Sequence, residues 1–282
     1  MTYDKICVGG SLAMLVYAHS LGQGNHLILE GQKYMGGAWA SSNATVRSVD
    51  LGCPIIVPPT DEDGQRIVEY FGALGIRLIP VSPNSFYYDS DSWKSYGKGG
   101  TPLICARGWP YFLDRMLELI QQEGYVAIKK EHKITEISFS KSTTSLYSHN
   151  QRYRCSQAIV PSYAQLATIT SPDGLLENPF NLVTNKHLVL EIEDKDISVP
   201  SCFQGFYEKS PTGIFDRVSV SNACGAYYIF TARISKSHKE EPLDLSGERY
   251  VEFLKSKNIV SANAECANVE TAFYKCAYRT PE

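Results

Sequence analysis

The first residues with clear chemical potential are Gly9, Gly10 and Ser11, which follow the apolar run Lys5–Val8. Apolar residues at helical spacing continue from the turn to Leu21. A strand, a glycine turn and a helix in this order present backbone N–H groups and the positive end of a helix dipole to an anion. A pyrophosphate is the anion that this arrangement suits best.

Two registers of the three-glycine pattern fit the turn, on Gly9, Ser11 and Met14 or on Val8, Gly10 and Ala13. In the first register, Ser11 is small enough to admit a phosphate. Met14 replaces the glycine that normally allows a helix to pack closely on its strand. Met14 therefore predicts a helix set slightly away from the strand. The pattern alone also fits an ordinary turn in an unrelated α/β protein.

A carboxylate stands where a dinucleotide site needs one. Glu30 ends the second apolar run, His26–Glu30, about 20 residues beyond the turn. There it could accept hydrogen bonds from ribose hydroxyls, although a solvated acid at a strand end is the simpler alternative. The turn, the spacing and the acid together favour dinucleotide binding.

Composition excludes several other classes. The chain has 282 residues, a net charge of −3 and no basic run, which argues against a nucleic-acid partner. No apolar run is long enough to span a membrane, and no secretory signal is present, so we expect a cytoplasmic protein. None of the eight cysteines forms a C-x-x-C pair and the six histidines lack metal-ligand spacing, so no metal site is expected. Cys7 and Cys155 lie in strand-like segments and are expected to be buried free thiols.

The remaining pattern predicts the elements that position the turn. Helices are predicted over 61–74, 108–122 and 248–257, and residues 83–101 are expected to be a loop or a hairpin. Short strands are predicted over 76–79, 125–129, 133–139, 143–147, 152–155, 157–160, 187–193, 202–207, 217–221 and 226–234. The first βαβ unit requires parallel strands, so the fold class is α/β, and α+β overall.

The segments YDKICVGGSLAML, LILEGQKYMGGAWASS and VDLGCPIIVP resemble the flavin-dependent amine oxidase superfamily, which includes protoporphyrinogen oxidases and phytoene desaturases. In that family a G-G loop after the acid lies near the pyrophosphate and the flavin ring; here it is Gly36-Gly37, followed by Ala38 and Trp39. Ala38 stands where the family often has arginine. The segment 107–161 also resembles the family, and the position that meets adenine there matches Ile134.

The resemblance implies an FAD-dependent oxidoreductase in which a small organic substrate passes a hydride to the flavin. It implies a Rossmann-type FAD-binding domain over 1–60 and 103–170, and a discontinuous antiparallel-sheet substrate or cap domain over 61–102 and 171–282. No catalytic residue is identified. The expected cofactor-binding residues are Gly9, Gly10, Ser11, Leu12, Glu30, Gly36, Gly37, Ala38, Trp39 and Ile134.

The C-terminal part departs from the family. A Gly-Asp pair that contacts the flavin side chain in the family has no counterpart, and the sequence ends in AFYKCAYRTPE. The chain would then be a short variant, a fragment, or completed by a partner chain. Two other functions stay open: a catalytically silent member that acts in binding or assembly, and an NAD(P)-binding oxidoreductase. The loop Gly36-Gly37 argues against the second.

Overall fold

The structure is a computed structural model that describes residues 2–37, 41–42, 49–50, 56–80, 86–89, 92–95, 99–149, 151–160, 168–176, 180–193, 205–208, 215–222, 227–234, 248–256, 258, 260–266 and 268–279. Contacts divide the chain into two units. The first unit comprises Met1–Ala40, Tyr111–Val183 and Lys275–Glu282, and the second comprises Ser41–Pro110 and Thr184–Tyr274. The domain limits inferred from the sequence stay predictions.

The described residues form four helices and nineteen strands. The helices are α1 Leu12–His19, α2 Asp61–Ala73, α3 Gly108–Glu123 and α4 Glu248–Ser256. The strands are β1 Tyr3–Val8, β2 His26–Leu29, β3 Ser41–Ser42, β4 Val49–Asp50, β5 Leu78–Pro80, β6 Phe86–Asp89, β7 Ser92–Ser95, β8 Leu103–Cys105, β9 Val126–Lys129, β10 Ile134–Phe139, β11 Thr144–Ser148, β12 Gln151–Ile159, β13 Thr168–Ser171, β14 Gly174–Leu175, β15 Phe180–Glu193, β16 Gly205–Glu208, β17 Phe215–Asn222, β18 Tyr227–Ile234 and β19 Asn268–Arg279.

The first sheet has eight strands in the order β14-β13-β10-β11-β12-β1-β2-β9. The four strands β12, β1, β2 and β9 pair in parallel, with Cys7 opposite Ile28 and Ile159. The strands β10, β11 and β12 form an antiparallel meander, and β10 also pairs in parallel with β13. This mixed, largely parallel sheet with helices is the α/β class predicted from the sequence.

The second sheet has seven strands in the order β19-β15-β18-β17-β16-β6-β7. The pairs β15·β18, β17·β18, β16·β17 and β6·β7 are antiparallel, whereas β16 and β6 are parallel. Two short antiparallel pairs, β3·β4 and β5·β8, complete the described strands.

Apolar side chains of the first sheet build the interior of the first unit. One buried cluster draws its side chains from six strands of the first sheet: Ile6, Leu27, Leu29, Ile134, Ile137, Leu146, Tyr153, Cys155 and Ile169. Along β12, Tyr153 and Cys155 are buried while Arg152 and Arg154 are exposed. The period of two is what a sheet with one packed face requires.

Side-chain caps explain where two helices begin. Ser11 has extended backbone before α1, and its hydroxyl accepts a hydrogen bond from Met14 N at 3.4 Å. Thr60 caps α2 in the same way through Asp63 N at 3.1 Å, and three acids occupy the first turn. Both caps satisfy amides that lack an intrahelical partner, and the acids favour the positive helix end.

Several elements differ from the prediction. The two strands predicted over 152–155 and 157–160 are one strand, β12, because the exposed Ser156 continues the alternation rather than breaking it. The strand predicted over 187–193 begins earlier, at Phe180. The strand β19 was not predicted at all. Residues 86–95 form a hairpin, one of the two expected alternatives.

The expected thiols are confirmed for two cysteines. Cys7 and Cys155 are both buried and free. Burial raises the pKa of each thiol from 9.0 to about 11, because a thiolate loses its hydration inside the sheet. The two side chains therefore behave as small apolar groups near neutral pH.

No helix in the described ranges is both long enough and apolar enough to cross a membrane.

Replacing Leu146 by alanine is expected to lower the free energy of unfolding by about 2–5 kcal/mol, because the side chain is fully buried and leaves a cavity. The matched control is Leu175→Ala, whose side chain is 72% exposed and whose loss should cost under about 0.5 kcal/mol. Urea unfolding followed by circular dichroism measures both. Equal losses in the two variants would contradict the assigned core.

The buried thiols also predict a pH dependence. The folded state favours the protonated thiols, so their contribution to stability is complete below pH 9.0 and is lost as the pH rises to about 11. The free energy of unfolding should therefore fall more steeply over this range in the parent than in the double variant Cys7→Ala/Cys155→Ala. Parallel pH profiles for the two proteins would show that neither thiol is buried.

Candidate functional site

The site is organised around the carboxylate that follows β2. Glu30 is only 8% exposed. Its Oε2 accepts a hydrogen bond from Gly10 N at 2.5 Å, and its Oε1 accepts one from Gln32 N at 2.7 Å. Each carboxylate oxygen has two lone pairs, so each retains one acceptor position. Glu30 thus holds the turn after β1 and keeps capacity for a further donor.

The turn after β1 needs glycine at both positions for different reasons. Gly9 has φ +93°, in the region that side chains disfavour, and a side chain there would meet nothing within 4 Å. A side chain at Gly10 would lie 2.5 Å from Met35 Cε and 3.1 Å from Glu30 Oε2. The backbone at Gly9 is therefore open to an approaching group, whereas Gly10 is closely packed.

The second glycine pair lies directly beside the turn. Gly36 N donates to Gly10 O at 2.6 Å, and Gly36 forms a parallel bridge with Ser11. Gly37 has φ +57°, and a side chain there would lie 3.6 Å from Ser11 Cβ. The structure therefore brings together the two glycine pairs, which are separated by 25 residues in the sequence.

At the beginning of α1, the backbone amides of Leu12 and Ala13 are two further donors. Leu15 N donates to Ser11 O at 2.9 Å, and Met14 N is occupied by the cap. Within the described residues, no group accepts a hydrogen bond from the amides of Leu12 and Ala13. Since the side chain of Leu12 is buried, its role at the site would be through its backbone amide.

The residues that precede Ile134 contact Glu30 and the segment after it. His132 N donates to Glu30 O at 2.8 Å, and Glu131 N donates to Gln32 O at 3.1 Å. A side chain at Gly31 would lie 3.3 Å from Lys133 Cα. The segment that leads into Ile134 and β10 therefore runs against the segment that follows β2.

The sequence did not indicate one buried polar side chain that contacts this segment. Tyr153 is buried, and its hydroxyl donates to Gln151 Oε1 at 2.7 Å. Its oxygen also lies 2.7 Å from His132 Nδ1. Burial raises the pKa of Tyr153, which keeps the phenol protonated. Only the alternation along β12 could have indicated that Tyr153 is buried.

The expected site residues fall into two groups. The structure brings together Gly9, Gly10, Ser11, Leu12, Glu30, Gly36 and Gly37. Ile134 lies in the buried cluster of the first sheet, and only the residues just before it bond to Glu30 and Gln32. Ala38 and Trp39 lie outside the described residues. Met14 is buried, and the helix displacement inferred from it stays a prediction.

The donors and acceptors at this site fit a dinucleotide. The helix-start amides without a partner among the described residues and the open approach at Gly9 suit a pyrophosphate. The remaining acceptor positions of Glu30 suit ribose hydroxyls. Among the described residues, no group of three or more histidine, cysteine, aspartate or glutamate side chains could hold a metal ion.

No protein-family model and no curated protein sequence matches the chain. Solved structures do match it. A proposed protoporphyrinogen oxidase from Exiguobacterium sp. 255-15 is 12% identical with a TM-score of 0.67, over 97% of this chain and 86% of that protein. Cyclohexylamine oxidase from Brevibacterium oxydans IH-35A is 10% identical with a TM-score of 0.66, over 99% of this chain and 85% of the oxidase.

A third solved structure is that of the flavin-dependent monooxygenase PieE in complex with FAD and substrate. It is 10% identical with a TM-score of 0.56, over 98% of this chain and 50% of the monooxygenase. Identities this low speak to the fold, and the matches extend over nearly the whole chain. The predicted resemblance is confirmed at that level: the chain has the fold of the amine oxidase and protoporphyrinogen oxidase type of flavoprotein.

Proposed function

We propose that the chain binds FAD and acts as an oxidoreductase that takes a hydride from a small organic substrate. The observation that carries the proposal is the position of Glu30, whose carboxylate joins the turn after β1 to the end of β2 and retains acceptor positions. The shared fold supports the same conclusion, because one protein that matches over nearly the whole of this chain, the monooxygenase PieE, is flavin-dependent and was solved in complex with FAD.

Each part of the site has a proposed role toward the cofactor. The amides of Leu12 and Ala13 bind the pyrophosphate, and the open approach at Gly9 lets it come close to the backbone. Glu30 accepts hydrogen bonds from the ribose. The Ile134 segment lies on the adenine side, and Gly36-Gly37 lies toward the flavin ring. When bound, the flavin supplies a two-electron acceptor.

The loop Gly36-Gly37 favours FAD over a nicotinamide dinucleotide. Its hydrogen bond from Gly36 N to Gly10 O fixes a second stretch of backbone beside the pyrophosphate position. That stretch adds backbone beside the proposed position of the cofactor, which suits a cofactor held permanently in the site. We assign substrate binding to the part of the chain that includes the seven-stranded sheet.

The protein purified after expression is expected to carry flavin that survives gel filtration. The visible absorbance of the protein fraction, with mass spectrometry of the released cofactor, measures this directly. Reduction of the bound flavin by amines under anaerobic conditions would then identify a substrate class. A colourless protein that takes up no added FAD would refute the proposal, and one that takes up NADP⁺ instead would support a nicotinamide cofactor.

Replacing Glu30 by glutamine should lower FAD affinity at least about tenfold, since one oxygen becomes an amide group that donates and now faces a backbone N–H. The same repulsion should lower the free energy of unfolding by about 1–3 kcal/mol. Equilibrium dialysis measures the affinity. Glu118→Gln, an exposed acid on α3, is the matched control and should change neither quantity. FAD affinity unchanged in Glu30→Gln would contradict the role of this carboxylate.

A further inference from the structure

A polar cavity lies on the face of the antiparallel meander opposite the buried cluster. It has a volume of about 240 Å³ and is lined by Arg152, Arg154 and a set of hydroxyl side chains that includes Ser138, Thr143 and Ser145. Pockets for drug-sized ligands measure about 300–1,000 Å³, so this one suits a smaller molecule. The proposed cofactor site uses none of these residues.

The strand register explains why these side chains converge. Ser138 on β10 is opposite Ser145 on β11, and Ser145 is opposite Arg154 on β12. Opposite residues share a face, so the three form one row across the meander. Arg152 is two residues before Arg154 and lies on the same face, about 7 Å away along the strand. The alternate residues, Tyr153 and Cys155, belong to the buried cluster on the other face.

Arg152 is held in place before any ligand arrives. Its Nη2 donates to Ser145 Oγ at 3.0 Å, and its guanidinium lies 5.4 Å from the centre of the Tyr147 ring. A guanidinium has five N–H donors, so most remain available. Ser145 is buried and accepts this hydrogen bond, which leaves its own hydroxyl proton to donate. Fixing the side chain in advance reduces the entropy lost on binding.

Neither guanidinium group of the cavity belongs to an ion pair within the described part of the chain. No carboxylate there forms an ion pair with Arg152 or Arg154. The lining therefore combines two cations with several hydroxyl donors and offers no anionic group. Each guanidinium group can donate two parallel hydrogen bonds, and the hydroxyl groups can donate from other directions. This arrangement matches a tetrahedral polyoxyanion better than a planar carboxylate.

The cavity is separate from the proposed cofactor site. Its wall includes Thr2, which precedes β1, whereas Gly9 follows the other end of that strand. Six extended residues between them span about 20 Å. We propose that this cavity binds the phosphate group of a small phosphate monoester, with Arg152 and Arg154 as its principal ligands.

The test is calorimetric titration of the full chain with glycerol 3-phosphate, at low ionic strength and about pH 7.5, where the ester is largely dianionic. One-to-one binding is expected, and chloride at equal ionic strength should not bind in place of the ester. Arg152→Gln and Arg154→Gln should each weaken binding about tenfold. Arg154→Lys keeps the charge and loses the paired N–H donors, so its affinity for the ester should lie between those of the parent and Arg154→Gln.

Arg115→Gln is the matched control, because it removes one guanidinium from α3 of the same unit and should leave affinity unchanged. Circular dichroism of each variant checks that the fold is retained. A parallel arm uses phosphatidylcholine vesicles with and without phosphatidic acid. Binding of the soluble ester supports a metabolite ligand, and binding only to the phosphatidic acid vesicles supports the same phosphate chemistry in a lipid headgroup.

Three results would overturn the proposal: no binding in either arm, equal weakening by Arg115→Gln, or affinity that both cavity variants leave intact. None of them depends on flavin binding, so the outcome is independent of the proposed oxidoreductase function. Conversely, a protein without flavin that still binds the ester through Arg152 and Arg154 would leave this site established.

Discussion

The burial of one carboxylate constrains the two turns that follow β1 and β2. Glu30 is almost withdrawn from water, and an unpaired buried carboxylate would be strongly unfavourable. Its two amide donors come from Gly10 and Gln32, so the chain after β1 and the chain after β2 must both turn toward it. Glycine at position 10 follows from this constraint, because any side chain there would occupy the space beside the carboxylate oxygen.

The antiparallel meander uses its two faces for opposite purposes. One face carries Tyr153 and Cys155 into the interior, and the other presents Arg152 and Arg154 with hydroxyl groups. Because the side-chain period of a strand is two, a shift of one residue in β12 would bury both guanidinium groups and expose the core. The register of this strand therefore protects the packed interior and the cationic cavity at the same time.

Local signals determined which features could be predicted from the sequence. The turn at Gly9, the helix after Ser11 and the position of Glu30 are contained within 30 residues, and spacing alone indicated them. The contact between Gly36 and Gly10 could be expected only through resemblance to a family, since nothing local requires it. β19 escaped prediction because it neighbours β15 in the second sheet, from which it is separated by 74 residues, and its own alternation is weak. The contact between His132 and Tyr153 also depends on pairing between distant segments.

The strand order of the first sheet has a consequence for the time course of folding. β1 is made first, yet one of its two neighbours is β12, with Tyr3 opposite Cys155. During synthesis, β1 can pair with β2 early but must wait until residue 159 has left the ribosome before its other edge is covered. Closing so long a loop costs entropy before any contact repays it, and such non-local pairing slows folding. The glycine turn at the end of β1 would therefore reach its final environment only after β12 has been synthesised.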